Sequence, residues 1–298
     1  MKLTNTPVTA HTFGDIPFSL KRDDLLHHQF SGNKARKLSA WLELEQPEIT
    51  TLMSQGGVQS NSLYSMAALA KLKGWQLKFY VERIPSWLKD HPMGNYRGAL
   101  ELGAQIIETT DYNKVLEEHF REPHQTQNHT LIIPEGGHSK KAMSGIQRLA
   151  QEIIDWASQN AIQPVVVALP SGTGTTALYL HKFLKPAAIE VLTCPCVGGK
   201  QYLIEQFTAL EESDFPHILE LENKHHFAKL YEEDFRTWQQ LCTDTGVEFD
   251  LLYDPMMWRC LSLWYPKNTD KHLLYVHQGG LLGNESMLPR YQRKFSSI

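Results

Sequence analysis

The sequence predicts an α/β protein with a mostly parallel, twisted sheet covered by helices on both faces. Two observations carry this. Short apolar runs alternate with helical patterns along most of the 298 residues, and glycines gather where several of those runs end. Alternation of this kind stacks parallel strands between layers of helix. Residues 50–54 (TTLMS) read as a strand and 60–73 as a helix, because Leu63, Met66, Ala67 and Ala70 fall at i, i+3, i+4 and i+7 with Gly74 as the stop. A strand at 76–81, a helix at 95–102, a short strand at 105–107 and a helix at 111–121 follow. Residues 130–134 (TLIIP) read as a buried strand and 140–158 as a long helix. Further strands fall at 165–170, 188–193 and 247–254 with helices between them, and a last helix precedes the strand that begins at His272. The charged stretch 211–235 reads as a surface region around a helix.

Composition narrows the function. With 29 Lys and Arg against 33 Asp and Glu, the formal charge is -4 and no basic stripe offers itself to nucleic acid. No run of about 18 apolar residues could span a membrane, and the first twenty residues lack the apolar core of a signal peptide. Four cysteines without export signals fit reduced thiols and a cytoplasmic location. The CPC at 194–196 has no second ligand pair at metal-binding spacing, so no metal is expected.

The chemistry gathers on loops after strands, where α/β folds bind ligands. Four such loops carry glycines: SQGGVQSN after 50–54, PEGGHS after 130–134, PSGTGTT after 165–170, and HQGG after the strand at 272–276. In PSGTGTT, Gly172 and Gly174 allow close backbone approach. Thr173, Thr175 and Thr176 add hydroxyls, the following helix aims free N–H groups and its positive dipole end at an anion, and the loop from Ser171 to Thr175 is expected to hold it. The Walker pattern and its lysine are absent, so a phosphate monoester fits better than a triphosphate. Earlier in the chain, FSGNKARKL sets Lys34 against a tight turn at a helix start. A phosphate cup without lysine, plus a separate turn-bound lysine, suggests pyridoxal 5'-phosphate, which needs an amine for its aldehyde and a cup for its phosphate.

Taken in order, SGNKARKL, GGVQSN, SGTGTT, the DP at 254–255 and HQGG resemble the family of aminocyclopropane-carboxylate deaminase and D-cysteine desulfhydrase. These are tryptophan-synthase-β-like (fold type II) pyridoxal-phosphate enzymes, and with KRDDL at 21–25 the motifs spread from residue 21 to 280. The resemblance implies that Lys34 carries the cofactor, that Lys34 and Ser60 are catalytic, that Asn61 contacts the cofactor ring oxygen, and that Gln59, Ser60, Asn61 and nearby backbone hold the substrate. Ser60 also suits a helix N-cap whatever else it does. Lys37 reads as a helix-surface cation, Arg36 as structural, and His138 as no more than pocket lining; Glu135 has no assignment.

One motif departs from the family. Where D-P-V-Y-[ET]-G-K is expected, DPMMWRC puts Met257 at the tyrosine and Trp258 at the residue that contacts the pyridine nitrogen. Gln278 could replace the lost ring contact, or a register shift could bring Tyr253 or Tyr265 into the pocket. On the first register, elimination of a good β leaving group is favoured over opening of a cyclopropane ring. The resemblance thus implies a lyase or hydrolase that deaminates small amino acids to a 2-oxo acid and ammonium, acting as a homodimer. Its large domain would comprise residues 1–37 and 149–298 and its small domain 38–148. Two alternatives stand beside it: a cofactor-binding protein of the same fold with lost or altered catalysis, and a nucleotide-binding α/β protein.

Overall fold

The computed structural model describes residues 3–119, 126–127 and 129–295. A hairpin of β1 (Val8–Phe13) and β2 (Ile16–Lys21) leads into helix α1 (Gly32–Leu42). Then follow β3 (Thr51–Gln55), α2 (Asn61–Lys73), β4 (Gln76–Val81), α3 (Ser86–Asp90), α4 (Gly94–Glu101), β5 (Gln105–Glu108) and α5 (Tyr112–His119). The short strands β6 (Thr126–Gln127) and β7 (Thr130–Ile132) precede α6 (Met143–Gln159). The chain continues through β8 (Val165–Ser171), α7 (Thr175–Leu184), β9 (Glu190–Pro195), α8 (Gly199–Ala209), β10 (His217–Ile218) and α9 (Glu232–Thr245). It closes with α10 (Asp254–Trp264), β11 (His272–Val276) and α11 (Asn284–Lys294).

The strands form two sheets. One has the order β1-β2-β11-β8-β9-β10, the other β5-β4-β3-β7-β6. Pairing is parallel throughout except at β1–β2 and β6–β7. Strand β8 shows why its sequence suits the centre of the first sheet. All seven of its residues are buried, as a strand covered on both faces requires. Val165, Val167 and Leu169 enter one apolar core, while Val166 and Ala168 enter the core on the opposite face. The second sheet packs with α1 and α2 into a core of its own, which includes Leu38, Trp41, Leu63 and Phe79.

The segment 247–254 is not a strand. Asp250 Oδ1 accepts from Leu252 N at 2.7 Å and Asp254 Oδ2 accepts from Asp250 N at 2.8 Å. These side chains take the backbone N–H groups that a sheet neighbour would have taken, so the chain turns at 251–253 and enters α10. The hairpin β1–β2 adds two strands to those the sequence predicts, and residues 120–121 of the expected helix at 111–121 lie outside the described residues.

Helices α1 and α6 touch at Gly145, where a Cβ would lie 1.9 Å from Arg36 O and 2.3 Å from Ser39 Oγ. The first of those atoms is backbone and cannot rotate away. Gly145→Ala should therefore force α1 from α6 and cost about 1–3 kcal/mol, read as a lowered urea midpoint with an unchanged m-value; an unaltered midpoint would contradict this packing.

Candidate functional site

A cavity of about 520 Å³ opens at the carboxyl ends of strands from both sheets. Its floor begins at the turn before α1. Gly32 adopts φ +62°, and a Cβ there would lie 1.8 Å from Gln278 O. Asn33 N donates to that same carbonyl at 3.2 Å. The loop after β11 therefore seats directly on the turn that starts α1, which explains the glycine in SGNK.

Lys34 and Lys37 are three residues apart, so they share one face of α1, and both line the cavity. Burial lowers the Lys34 amine to about 8, with Asp250 and Glu135 opposing that shift. Burial also lowers Lys37 well below the usual lysine range, and Lys34 adds to the effect. Lys37 is 2 % exposed, so the expectation of a helix-surface cation is overturned. A Cβ built on Gly136 would stand 3.9 Å from Lys37 Nζ and 3.6 Å from Thr173 Oγ1. The amine thus lies beside the loop after β8.

That loop forms an anion cradle. Helix α7 starts at Thr175 with no side-chain cap, after Gly174 at φ +70°. A Cβ on Gly174 would lie 2.4 Å from both Leu203 and Phe207, so only glycine fits the bend. Thr173 and Thr175 hydroxyls stand 3.4 Å apart, and Thr176 Oγ1 is buried with no hydrogen-bond partner. Ser171 and Gly172 line the same wall, although the Ser171 hydroxyl is already bonded to Thr193 Oγ1 at 2.7 Å. Uncapped N–H groups, an orphaned hydroxyl and a buried amine fit the phosphate of pyridoxal phosphate.

Gln59, Ser60 and Asn61 line the cavity where α2 begins. Ser60 Oγ accepts from Leu63 N at 3.2 Å and so caps the helix. Asn61 donates from Nδ2 to Asp250 Oδ2 at 2.7 Å and accepts at Oδ1 from Asn95 at 2.8 Å. Gln278 donates to Pro170 O at 2.5 Å, leaving its Oε1 buried without a partner. The cavity therefore gathers Lys34, Gln59, Ser60, Asn61, Ser171, Gly172, Thr173, Gly174, Thr175 and Gln278, which come from four separated stretches of sequence.

Met257 and Trp258 do not reach it. Both are fully buried in the core behind the first sheet, where the Trp258 ring packs 4.5 Å from Phe18 and 5.0 Å from Tyr275. Asp250, Tyr253 and Asp254 line the cavity instead. The register that fits the fold is thus DLLYD at 250–254, four residues earlier than DPMMW, with the aspartate, the tyrosine and an acid in the expected order. Burial raises Asp254 to about 8, with Asp250 adding to it; Tyr275 donates to Asp254 Oδ1 at 2.5 Å. Burial raises Asp250 to about 6, opposed by the bonds from Leu252 and Asn61. The Tyr253 hydroxyl is pushed upward by burial and by Asp250. His138 contacts Gln206 O at 3.0 Å and is not among the residues lining the cavity.

Relatives carry the same pattern of names. The chain is 24% identical over 281 residues, 89% of its length and 88% of the other, to a Thermotoga maritima protein with the provisional name 1-aminocyclopropane-1-carboxylate deaminase. It is 22% identical to the Arabidopsis thaliana bifunctional D-cysteine desulfhydrase/1-aminocyclopropane-1-carboxylate deaminase, over 89% of this chain and 72% of that one. A solved aminocyclopropane-carboxylate deaminase homologue superposes with a TM-score of 0.77 at 19% identity, covering 98% of this chain and 95% of that one. A pyridoxal 5'-phosphate-dependent aspartate racemase superposes at 0.64 and 11% identity, covering 92% and 90%. No protein-family profile matches. The resemblance read from the motifs thus extends along nearly the whole chain, and the fold is that of these enzymes.

The cradle predicts anion binding without any cofactor. Inorganic phosphate should raise the melting temperature of the protein. Gly174→Val should abolish the rise and Lys37→Met should weaken it. A rise that is equal in all three proteins would place the anion elsewhere.

Proposed function

We propose that the chain is a pyridoxal-phosphate-dependent lyase or deaminase of small amino acids, yielding a 2-oxo acid and ammonium. One observation carries the reading: the Lys34 amine and the uncapped start of α7 face the same cavity. When bound, pyridoxal phosphate supplies an aldehyde for amines and a ring that draws electrons from the substrate α-carbon. The backbone of 171–175, with Lys37 and Thr176, would hold its phosphate. Asp254 would be the acidic acceptor for the ring nitrogen, and Asn61 would contact the ring oxygen.

The start of α2 orients the substrate carboxylate through its free N–H groups, Gln59 and Ser60. Lys34 Nζ takes the proton from the α-carbon. Its lowered pKa makes a neutral amine accessible near pH 8, as a general base requires. Tyr253, at the family's tyrosine position, supplies a hydroxyl that can hold or deliver a proton near the reacting carbon. With Tyr253 in the cavity, the reason for favouring elimination over ring opening lapses, and so does the observation that favoured a cofactor-binding protein without catalysis. The four free cysteines and the absence of a membrane-length helix among the described residues fit a cytoplasmic enzyme; homodimerisation is carried over from the resemblance, as is a division into domains near residues 38 and 148.

Two measurements test this. The protein loaded with pyridoxal phosphate should release pyruvate from cysteine or 2-oxobutyrate from 1-aminocyclopropane-1-carboxylate, and Tyr253→Phe should lower the rate about 10²–10⁴-fold. Inertness toward a panel of D- and L-amino acids would sink the reading. Lys34 deprotonates as pH rises through about 8, so cofactor coupling to the empty protein should quicken about tenfold from pH 7 to 9 and then level off. A rate still climbing beyond pH 10 would mean that the coupling amine has an ordinary lysine pKa.

A further inference from the structure

With the roles above assigned, Glu135 is left over. Three carboxyl groups line the cavity among the described residues: Glu135, Asp250 and Asp254. Asp250 accepts from Asn61 and Leu252, and Asp254 accepts from Asp250 N and Tyr275. No hydrogen bond or ion pair holds the Glu135 carboxyl among those residues. It is open to the cavity, with Oε1 3.0 Å from where a Cβ on Gly56 would sit, over the loop that leads to Gln59 and Ser60. Protein crowds it enough to raise its pKa, against the pull of Lys34. Tyr202 and Tyr253 lie within its field.

We propose that Glu135 binds a second, positively charged amine on the substrate's side chain, which makes short diamino acids the substrate class of this cavity. The proposal rests on the lyase reading of the site. An amino acid held there has its carboxylate at the start of α2 and its α-amine at the cofactor, so its third substituent is what remains to meet the cavity wall. A free carboxylate on that wall repels an acidic side chain, gains little from a neutral one, and pairs with an ammonium group. Lys34 does not fill this need. Its Nζ has Asn33 Oδ1 at 3.5 Å as a hydrogen-bond acceptor, and its amine is committed to the cofactor and to the α-proton. Arg290, the other unassigned charge in the lining, is an exposed residue on α11.

The shortest such substrate is 2,3-diaminopropionate, whose β-amine is also the leaving group. Lys34 takes the α-proton, the bond from Cβ to nitrogen breaks with its electron pair going to nitrogen, and the departing ammonia takes up that proton. The released 2-aminoacrylate reacts with water to give pyruvate and the second ammonium. One diaminopropionate cation and one water thus give one pyruvate and two ammonium ions.

The test compares both enantiomers of 2,3-diaminopropionate, cysteine and aspartate on the loaded protein, with pyruvate and ammonium measured together. Diaminopropionate should be preferred over cysteine in kcat/KM by about tenfold or more, with two ammonium per pyruvate. Glu135→Gln should remove about tenfold of that preference and Glu135→Asp should restore part of it, each variant retaining cofactor and melting temperature. Binding without turnover supplies a second readout. In Lys34→Ala protein supplied with the cofactor, calorimetry should show the ratio of diaminopropionate to alanine affinity falling about tenfold on adding Glu135→Gln. Cysteine turnover without a diamine preference, a preference for aspartate, or an affinity ratio untouched by Glu135→Gln would each overturn the proposal and leave the lyase reading standing. Failure of every amino acid would overturn both.

Discussion

The site depends on how one buried guanidinium fixes helix α1. Arg36 is 1 % exposed, and its five N–H groups are met on every side. Nε and Nη2 donate to the two oxygens of Asp23 at 2.8 Å each, Nη1 and Nη2 donate to Glu152 at 2.7 and 2.9 Å, and Nη1 also reaches Leu3 O at 3.1 Å. Lys21 joins at 2.6 Å from Glu152, and Thr6 donates to Asp23 at 2.6 Å. Two cations and two anions thus cancel inside the protein, and the arginine fork leaves α1 a single rotational setting. Such a cluster is weak evidence for net stability, but removing one partner would strand buried charge, so the geometry is held firmly. At 100° per residue, Arg36 points away from the face shared by Lys34 and Lys37. Tying the arginine to the turn after β2, to Leu3 and to α6 aims both lysines at the cavity.

The electrostatics of the cavity follow from that placement. Two amines on adjacent turns, both desolvated, repel one another and resist protonation, and Lys37 lies nearest the donors that await an anion. The carboxyls of Asp250 and Asp254 sit four residues apart in one turn, and Asp250 favours protonation of Asp254. The linkage sign is definite: a carboxyl raised to about 8 in the folded protein binds a proton there that the unfolded chain has already lost. Asp254 therefore disfavours the folded state increasingly as pH rises from about 4 to 8. A cation brought near these acids would relieve the strain.

Much of this was legible in the sequence because it is local. The unbroken apolar run of β8, the 3.6-residue stripe of α2 and the glycines after strands report backbone geometry directly; Lys34, Gln59, Ser60, Asn61, the loop 171–175 and Gln278 line the cavity as expected, whereas His138, Met257 and Trp258 do not. Three misreadings share a cause, the neglect of what side chains do to the backbone or to each other. The segment 247–254 alternates like a strand, but its aspartates cap its own N–H groups. Matching on the Asp–Pro pair at 254–255 hid the better match of Asp250, Tyr253 and Asp254. Lys37 resembled a surface charge because lysines usually are, although its i, i+3 relation to Lys34 already put both on one face. Glu135 gave no local signal, since its meaning lies in the absence of a partner, which only the assembled cavity reveals.

The most direct test of the central claim, that α1 presents Lys34 as the amine that holds the cofactor, is covalent trapping. Protein incubated with pyridoxal phosphate is reduced with borohydride, digested, and its peptides are weighed. The account predicts stoichiometric addition of reduced cofactor to Lys34 and none to Lys37, whose amine is turned to the phosphate cradle. Addition to Lys37 with Lys34 unmodified, or scattered labelling of surface lysines, would contradict it.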